Sequence, residues 1–266
     1  MSKFTRVKFL ITLMLDIALI SGTVFILTTV PAAAQGPDCP ITHEQLESEL
    51  QSVVAGGGNA GLGNHMWGAV VDRHGTVCNV ARTSDLSNQW PGSRVIAAQK
   101  AYTANAFSLP SGAGAGIPLS TGNLYGTVLE QGSLLGLQFS NPVNPEEAYK
   151  GNPMNFGAAN DPMRGAIVGG VNIFGGGLSL YDSAGNLVGA LGVSGDTSCT
   201  DHVIAWKVRD GLNLDNVPGG VSATGVDNLN IATPVTPGAF EHPDCGGGVD
   251  GIIADLPTTF PIGPNP

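Results

Sequence analysis

Met66-Trp67-Gly68-Ala69-Val70-Val71-Asp72-Arg73-His74-Gly75 runs straight into a second apolar stretch over residues 76–82. Residues 66–72 and 76–82 carry the β-branched and aromatic content of strands, and the polar residues between them form a turn. An Asp at the start of a turn with a Gly three residues on fits a type I turn closed by a left-handed residue. That connection joins neighbouring antiparallel strands. The pattern returns further along: Leu178-Ser179-Leu180-Tyr181-Asp182, then Ser183-Ala184-Gly185, then a strand over residues 186–193. Two such hairpins can pair into one antiparallel sheet with helices packed on its face, an α+β architecture.

Helices are signalled on either side of the hairpins. Thr42 is positioned as an N-cap with Gln45 in the capping-box position, and Leu46, Leu50, Val53 and Val54 share one face of the helix that follows. The glycine-rich stretch 56–63 ends it. Residues 93–107 read as a second helix, with Pro110 barring its continuation, and residues 196–212 as a third, with Lys207 and Arg209 near its end and Gly211 as its stop. Residues 108–174 are rich in Gly, Asn and Pro, with one apolar segment at 124–139 that could hold a short helix. A connection of that length in a compact domain is functional or only partly ordered. Residues 215–266 read as a Pro/Gly-rich tail with little periodicity.

The amino-terminus follows the order of a secretory signal. Lys3, Arg6 and Lys8 precede an apolar run to about Val30, and Ala32-x-Ala34 supplies a small-residue cleavage site. The run is long enough to span a bilayer, but Asp16 inside it argues against a permanent span, since a carboxylate near the bilayer centre costs about 2.5 kcal/mol or more. Residues 1–34 are therefore expected to be removed, leaving a secreted or periplasmic protein with no stable membrane span. Their loss takes away three basic groups and one acidic group, moving the formal net charge from -10 to -12. No Lys/Arg cluster of the kind that holds a phosphate backbone is present, which sets nucleic acid aside as a partner.

The four cysteines, Cys39, Cys78, Cys199 and Cys245, contain no C-x-x-C pair. In an oxidising compartment they read as two disulfides. Three pairings are open; Cys39 with Cys78 and Cys199 with Cys245 is favoured because each would tie a terminal segment to the body.

Several blocks together resemble a known family. Ala69 to Gly75 with Val80-Ala81-Arg82 resembles the opening hairpin of GlcG/HbpS-type haem-binding proteins. The stretch Ala97-Ala98-Gln99-Lys100-Ala101-Tyr102 and on to Phe107 is similar to the family's Lys-Ala helix, and Gly175-Gly176-Gly177 followed by Gly185 and residues 188–195 to its closing glycine-rich hairpin. The blocks come in the family's order and cover most of residues 41–213. The resemblance implies a profilin-like sheet with flanking helices over residues 35–214, assembly into homo-oligomers and binding of haem, with slow haem breakdown in some members. The signal, the cysteines, the insertion at about 108–174 and the tail at 215–266 depart from the short family pattern.

Haem needs an axial ligand, an apolar slot and polar or cationic partners for its propionates. Of the five imidazoles, His43 and His202 are preferred as ligands because each lies in the first turn of a helix, and rigid elements hold a ligand better than loops. His74 in a hairpin turn and His65 in a glycine loop are expected to be solvated. Lys100 and Arg82 are candidates for the propionates, and Gly176 and Gly177 for close approach to a ligand edge. Ser194 lies in Gly192-Val193-Ser194-Gly195-Asp196, which departs from the nucleophile elbow G-x-S-x-G at its last position, so capping of the last helix by residues Ser194 to Thr197 is the better reading. The run Glu241-His242-Pro243-Asp244-Cys245 could hold a metal. A haem-binding module is thus weighed against a cofactor-free assembly protein on the same scaffold and against an enzyme acting on a small molecule.

Overall fold

The computed structural model describes residues 38–110, 118–220 and 222–263. The segment read as a secretory signal lies outside them, and no helix among the described residues is long and apolar enough to cross a membrane. Both hairpins form: β1 (Trp67–Asp72) with β2 (Val77–Arg82), and β3 (Gly177–Tyr181) with β4 (Leu187–Ser194). Each turn is held by its aspartate. Asp72 Oδ1 accepts the amides of His74 and Thr76 at 2.8 and 2.9 Å, and Asp182 Oδ1 accepts those of Ala184 and Asn186 at 2.9 Å each. Gly75 and Gly185 then take φ of 81° and 78°, a region that strains any side chain with a Cβ.

The ribbons join through β1 and β4 into an antiparallel sheet of order β2-β1-β4-β3. β1 is buried at all six residues, which explains why its sequence is apolar without alternation. Trp67, Ala69, Val71 and Ala190 face α2 (Ser93–Phe107) and pack on Val95, Ala97, Ala98 and Ala101. On the other face Val70, Leu178, Leu180, Leu191 and Val193 meet Leu46 and Leu50 of α1 (His43–Gly56) and the apolar side of α5 (Ser198–Gly211). The helices carrying Lys100 and His202 therefore lie on opposite faces, and the sheet is the middle of three layers. Gly192 makes the α2 layer possible: a Cβ there would stand 1.9 Å from Ala97 O and 2.6 Å from Ala101 N.

α1 starts with the expected capping box. Thr42 N–H donates to Gln45 Oε1 at 2.9 Å, and Gln45 N–H donates to Thr42 Oγ1 at 3.3 Å. α5 is capped by Thr197, whose hydroxyl accepts the Thr200 amide at 3.3 Å, while Ser194 ends β4 as a buried residue opposite Trp67. The insertion is mostly irregular, with the one-turn helices α3 (Leu137–Ser140) and α4 (Pro145–Ala148). The tail is more ordered than its sequence suggests. It forms a short parallel pair, β5 (Ile231–Ala232) with β6 (His242–Pro243), and then α6 (Val249–Thr259), which buries Val249, Ile253 and Leu256 in the core shared with α5. Disulfides link Cys39 to Cys78 and Cys199 to Cys245.

The insertion, and α5 with the residues that follow it, also lie along the sheet's outer strands. On β2, Val77 N–H donates to Ala166 O, Gly165 N–H to Val77 O and Arg164 Nε to Cys78 O, at 2.8–2.9 Å. On β3, Thr121 Oγ1 accepts the Gly177 amide, Arg209 Nη1 donates to Ser179 O, and Leu214 O accepts the Tyr181 amide.

Candidate functional site

α1 begins beside β2, where residues 157–166 of the insertion close over the strand. That loop is built around Asp161. Arg94 of α2 grips its carboxylate with Nε, at 2.8 Å, and with Nη2, and the same carboxylate accepts the amides of Gly157 and Met163 at 2.7 and 2.8 Å. Gly157 is thereby placed so that its carbonyl accepts from His43 Nε2 at 3.2 Å. A carbonyl can only accept, so Nε2 carries the proton and the lone pair of the neutral imidazole is on Nδ1. Gly157 has φ 79°, and a Cβ on it would come within 3.0 Å of the Trp67 ring and the Arg82 side chain. His43 and Arg82 therefore meet at this one residue.

His43 lines a cleft of about 490 Å³ with Cys39, Pro40, Ile41, Asn79, Ala159 and Arg164. Clefts that hold small ligands run from about 300 to 1,000 Å³. Asn79 is almost wholly buried and donates its amide to Ile41 O at 2.8 Å, but its Oδ1 has no partner among the described residues. Nor has Arg82 Nη1. An unsatisfied buried polar atom costs about 1–3 kcal/mol, so a donor entering beside Asn79 would gain what the empty acceptor forfeits. Arg164 is exposed, its guanidinium held by Cys78 O and Ala159 O.

The other candidates form a separate, closed group. Lys100 Nζ donates to Asp201 Oδ2 at 2.6 Å and to Val193 O at 3.1 Å, joining α2 to α5. Burial raises the Asp201 carboxyl to about 6 and lowers the Lys100 ammonium, while their mutual attraction pulls each the other way. Gly176, at φ 104°, lets β3 pass so close that a Cβ would stand 2.4 Å from Val193 O, and one on Gly177 would stand 2.4 Å from the Thr121 side chain and 2.6 Å from Lys100 O. Their glycine character serves this packing. His202 is wholly enclosed, with Nε2 3.1 Å from Asn228 Oδ1 and Nδ1 without a partner among the described residues. Burial lowers its pKa to about 4, which keeps the ring neutral. Among the five histidines, His65 and His74 are exposed, as their loops imply.

The structure thus brings His43 and Arg82 together and sets Lys100, His202, Gly176 and Gly177 apart from them. Asn79 and Arg164, which share the cleft, and Gly157, which holds the His43 ring, had no local sequence signal, because they come together only where the insertion meets β2 across the sheet edge. A larger cleft, of about 650 Å³, lies within the tail, between residues 222–241 and α6. Leu229, Ile231, Phe240 and Ile253 line it with Glu241 and Asp250, and no imidazole reaches it.

A model of the family described as haem-degrading protein HbpS-like matches residues 41–209. Solved structures similar to this chain include a crystal structure of a PduOC:heme complex, 23% identical over 64% of this chain and 91% of that one, with a TM-score of 0.43. The Klebsiella pneumoniae protein ORFY is 22% identical over 65% and 90%, with a TM-score of 0.43. A double mutant of Streptomyces reticuli HbpS is 20% identical over 64% and 84%, with a TM-score of 0.39. The curated proteins compared gave no match.

Proposed function

The chain belongs to the HbpS-like family of haem-degrading proteins, and from that membership we propose that it is an exported haem-binding protein whose haem seat is the cleft at His43. The observation that carries the reading is the His43 ring. Its Nε2–H is committed to Gly157 O, which leaves Nδ1 as the one nitrogen able to ligate a metal. A hydrogen bond from the far ring nitrogen to a carbonyl is also what fixes the tautomer of metal-bound histidines.

The donor set fits haem. His43 offers the axial nitrogen, Arg164 offers a guanidinium for a propionate, and Pro40, Ile41, Ala159 and the Cys39–Cys78 bridge offer apolar wall, while Arg82 does not line the cleft. That wall is short, so one copy of the chain covers only part of a macrocycle; in this reading a second copy supplies the rest. Bound haem would supply an iron whose potential the axial ligand and surrounding dielectric tune. The chain's own part is to orient one imidazole through Gly157, hold that loop through Arg94 and Asp161, and neutralise propionate charge. Lys100 and His202 take no part, because their polar atoms are enclosed. Export is supported by the basic, apolar and small-residue order of residues 1–34 and by two disulfides, which persist in oxidising compartments.

Titrating hemin into the protein beginning at Gln35 tests the reading. A saturable Soret shift is expected, His43→Ala should weaken binding at least about tenfold, which is about 1.4 kcal/mol, and His202→Ala should leave the bound spectrum unchanged. A flat titration removes the function, and a His43→Ala protein that binds as tightly with the same spectrum removes the seat.

A further inference from the structure

Away from that cleft, Cys199 Sγ, Cys245 Sγ and a nitrogen of His242 lie within 4.8 Å of one another, and among the described residues no other group of three His, Cys, Asp or Glu side chains converges so closely. The two sulfurs are bonded as the disulfide that ties the tail to α5. His242 is fixed against them at both ring nitrogens. Nδ1 lies 3.8 Å from Cys199 Sγ and donates to Pro243 O at 2.7 Å, while Nε2 accepts the Ser198 hydroxyl at 2.7 Å. The ring is 2% exposed, with Tyr125 packed 5.6 Å from it between ring centres. A crosslink needs no imidazole held beside it in this way.

We propose that Cys199, Cys245 and His242 form a redox-gated zinc site, closed as the disulfide and opened to Zn²⁺ when a dithiol reduces that bond. Both steps balance. The dithiol gives up two electrons and two protons and becomes a disulfide, and the Cys199–Cys245 bond parts into two thiols. Zn²⁺ then displaces the two thiol protons and binds two thiolates and His242 Nδ1. The imidazole changes tautomer as it does so: the Nδ1 proton leaves to solvent and another is taken up on Nε2. Ser198 Oγ turns from donor to acceptor. It already accepts the Gly175 amide at 2.7 Å, and a hydroxyl oxygen has a second lone pair for Nε2–H.

The distances suit this metal. With Zn–S of about 2.3 Å and Zn–N of about 2.0 Å, tetrahedral geometry separates S from N by about 3.5 Å and S from S by about 3.8 Å. Cys199 Sγ and His242 Nδ1 already stand 3.8 Å apart; the sulfurs must separate by less than about 2 Å, and Pro243 O, which Nδ1 faces at 2.7 Å in the closed form, must turn aside to admit the metal. Two thiolates and an imidazole are a ligand set zinc favours. Three protein ligands leave its fourth position open, as in zinc sites that exchange a ligand. Ser198 is a positioning residue here, of the kind whose loss lowers metal affinity about 10–100-fold.

The test uses Cys39→Ser/Cys78→Ser protein, in which Cys199 and Cys245 are the only cysteines, reduced with a phosphine that is then removed without air. Co²⁺ is titrated and thiolate-to-cobalt absorption is read. One equivalent should bind to reduced protein and none to oxidised, Zn²⁺ should displace it, and Ser198→Ala should weaken it about 10–100-fold without altering the far-UV spectrum. With Cys39 and Cys78 kept, the parent chain should bind Co²⁺ upon reduction and Cys199→Ser/Cys245→Ser should not, so a folding failure of the first variant leaves the test intact. Equal Co²⁺ spectra before and after reduction, binding indifferent to Ser198→Ala and His242→Ala, or loss of the folded spectrum upon reduction of the four-cysteine chain each overturn the proposal.

Discussion

Replacing Lys100 with Met tests the tie between the two helical layers. Lys100 Nζ and Asp201 Oδ2 are 2.6 Å apart, and the two side chains are 1% and 3% exposed. Methionine fills much the same space but leaves an enclosed carboxylate whose Oδ1 accepts the amides of Gly195 and Asp196, at 3.1 and 2.9 Å, and whose counter-ion is gone. Breaking one side of a buried pair costs about 3–5 kcal/mol. For a body of this size that lowers Tm by about 6–20 °C. The loss should depend on pH. Burial already lifts Asp201 from 3.8 to about 6 while Lys100 pulls it down; without Lys100 the carboxyl rises further. A folded pKa above the unfolded one means that proton uptake favours the folded state, so the deficit is complete at pH 8 and shrinks as pH falls from the variant's raised value towards about 6, the folded value in the parent, below which both proteins take up the proton alike. Urea unfolding at pH 8 and pH 5 measures this. Lys100→Met/Asp201→Asn should recover most of the stability at pH 8, because an amide oxygen still accepts both N–H groups. A Lys100→Met protein within about 1 kcal/mol of the parent at pH 8, or a deficit that grows towards pH 5, would refute the reasoning.

Gly192→Ala sets a Cβ 1.9 Å from Ala97 O, so α2 must lift from the sheet at a cost of at least about 1–3 kcal/mol; an unchanged urea midpoint would show that the two layers are not in contact there. Arg94→Met leaves the buried Asp161 carboxylate without its cation, and hydrogen exchange at residues 157–166 should quicken by about 100-fold or more, since 3–5 kcal/mol of local support is removed. Hemin affinity should fall with it because Gly157 orients His43, and full protection of the loop would dissociate Asp161 from its role.

The two ribbons were legible because their turns are local: one aspartate and one glycine per turn contain the whole signal, and Oδ1 of Asp72 and of Asp182 makes the same two bonds. The capping box at Thr42 and the ends of α2 were legible for the same reason. α6 was missed although Val249, Ile253 and Leu256 have helical spacing, because Gly246, Gly247 and Gly248 precede it and Gly251 and Pro257 interrupt it; packing on α5 outweighs those propensities. The layer arrangement was only half visible. A middle strand buried on both faces reads as apolar throughout, and nothing in residues 67–72 says which helix takes which face. Of the candidate cleft, His43 was singled out from its place in a first turn. Its partner Gly157 lies 114 residues on, and Asp201 and Asn228, which occupy Lys100 and His202, are likewise tertiary neighbours that no local spacing announces.

The covering of β2 and β3 limits how copies of this chain can meet. An open sheet margin offers a row of donors and acceptors on which another chain can zip, the usual route to sheet extension and to cross-β aggregates. Here the amides of Gly177 and Tyr181 and the carbonyl of Ser179 are bonded within the chain, as are both groups of Val77 and the carbonyl of Cys78. Extension of the sheet through β3 would have to break these internal bonds first, so the margin is a poor template for a further strand.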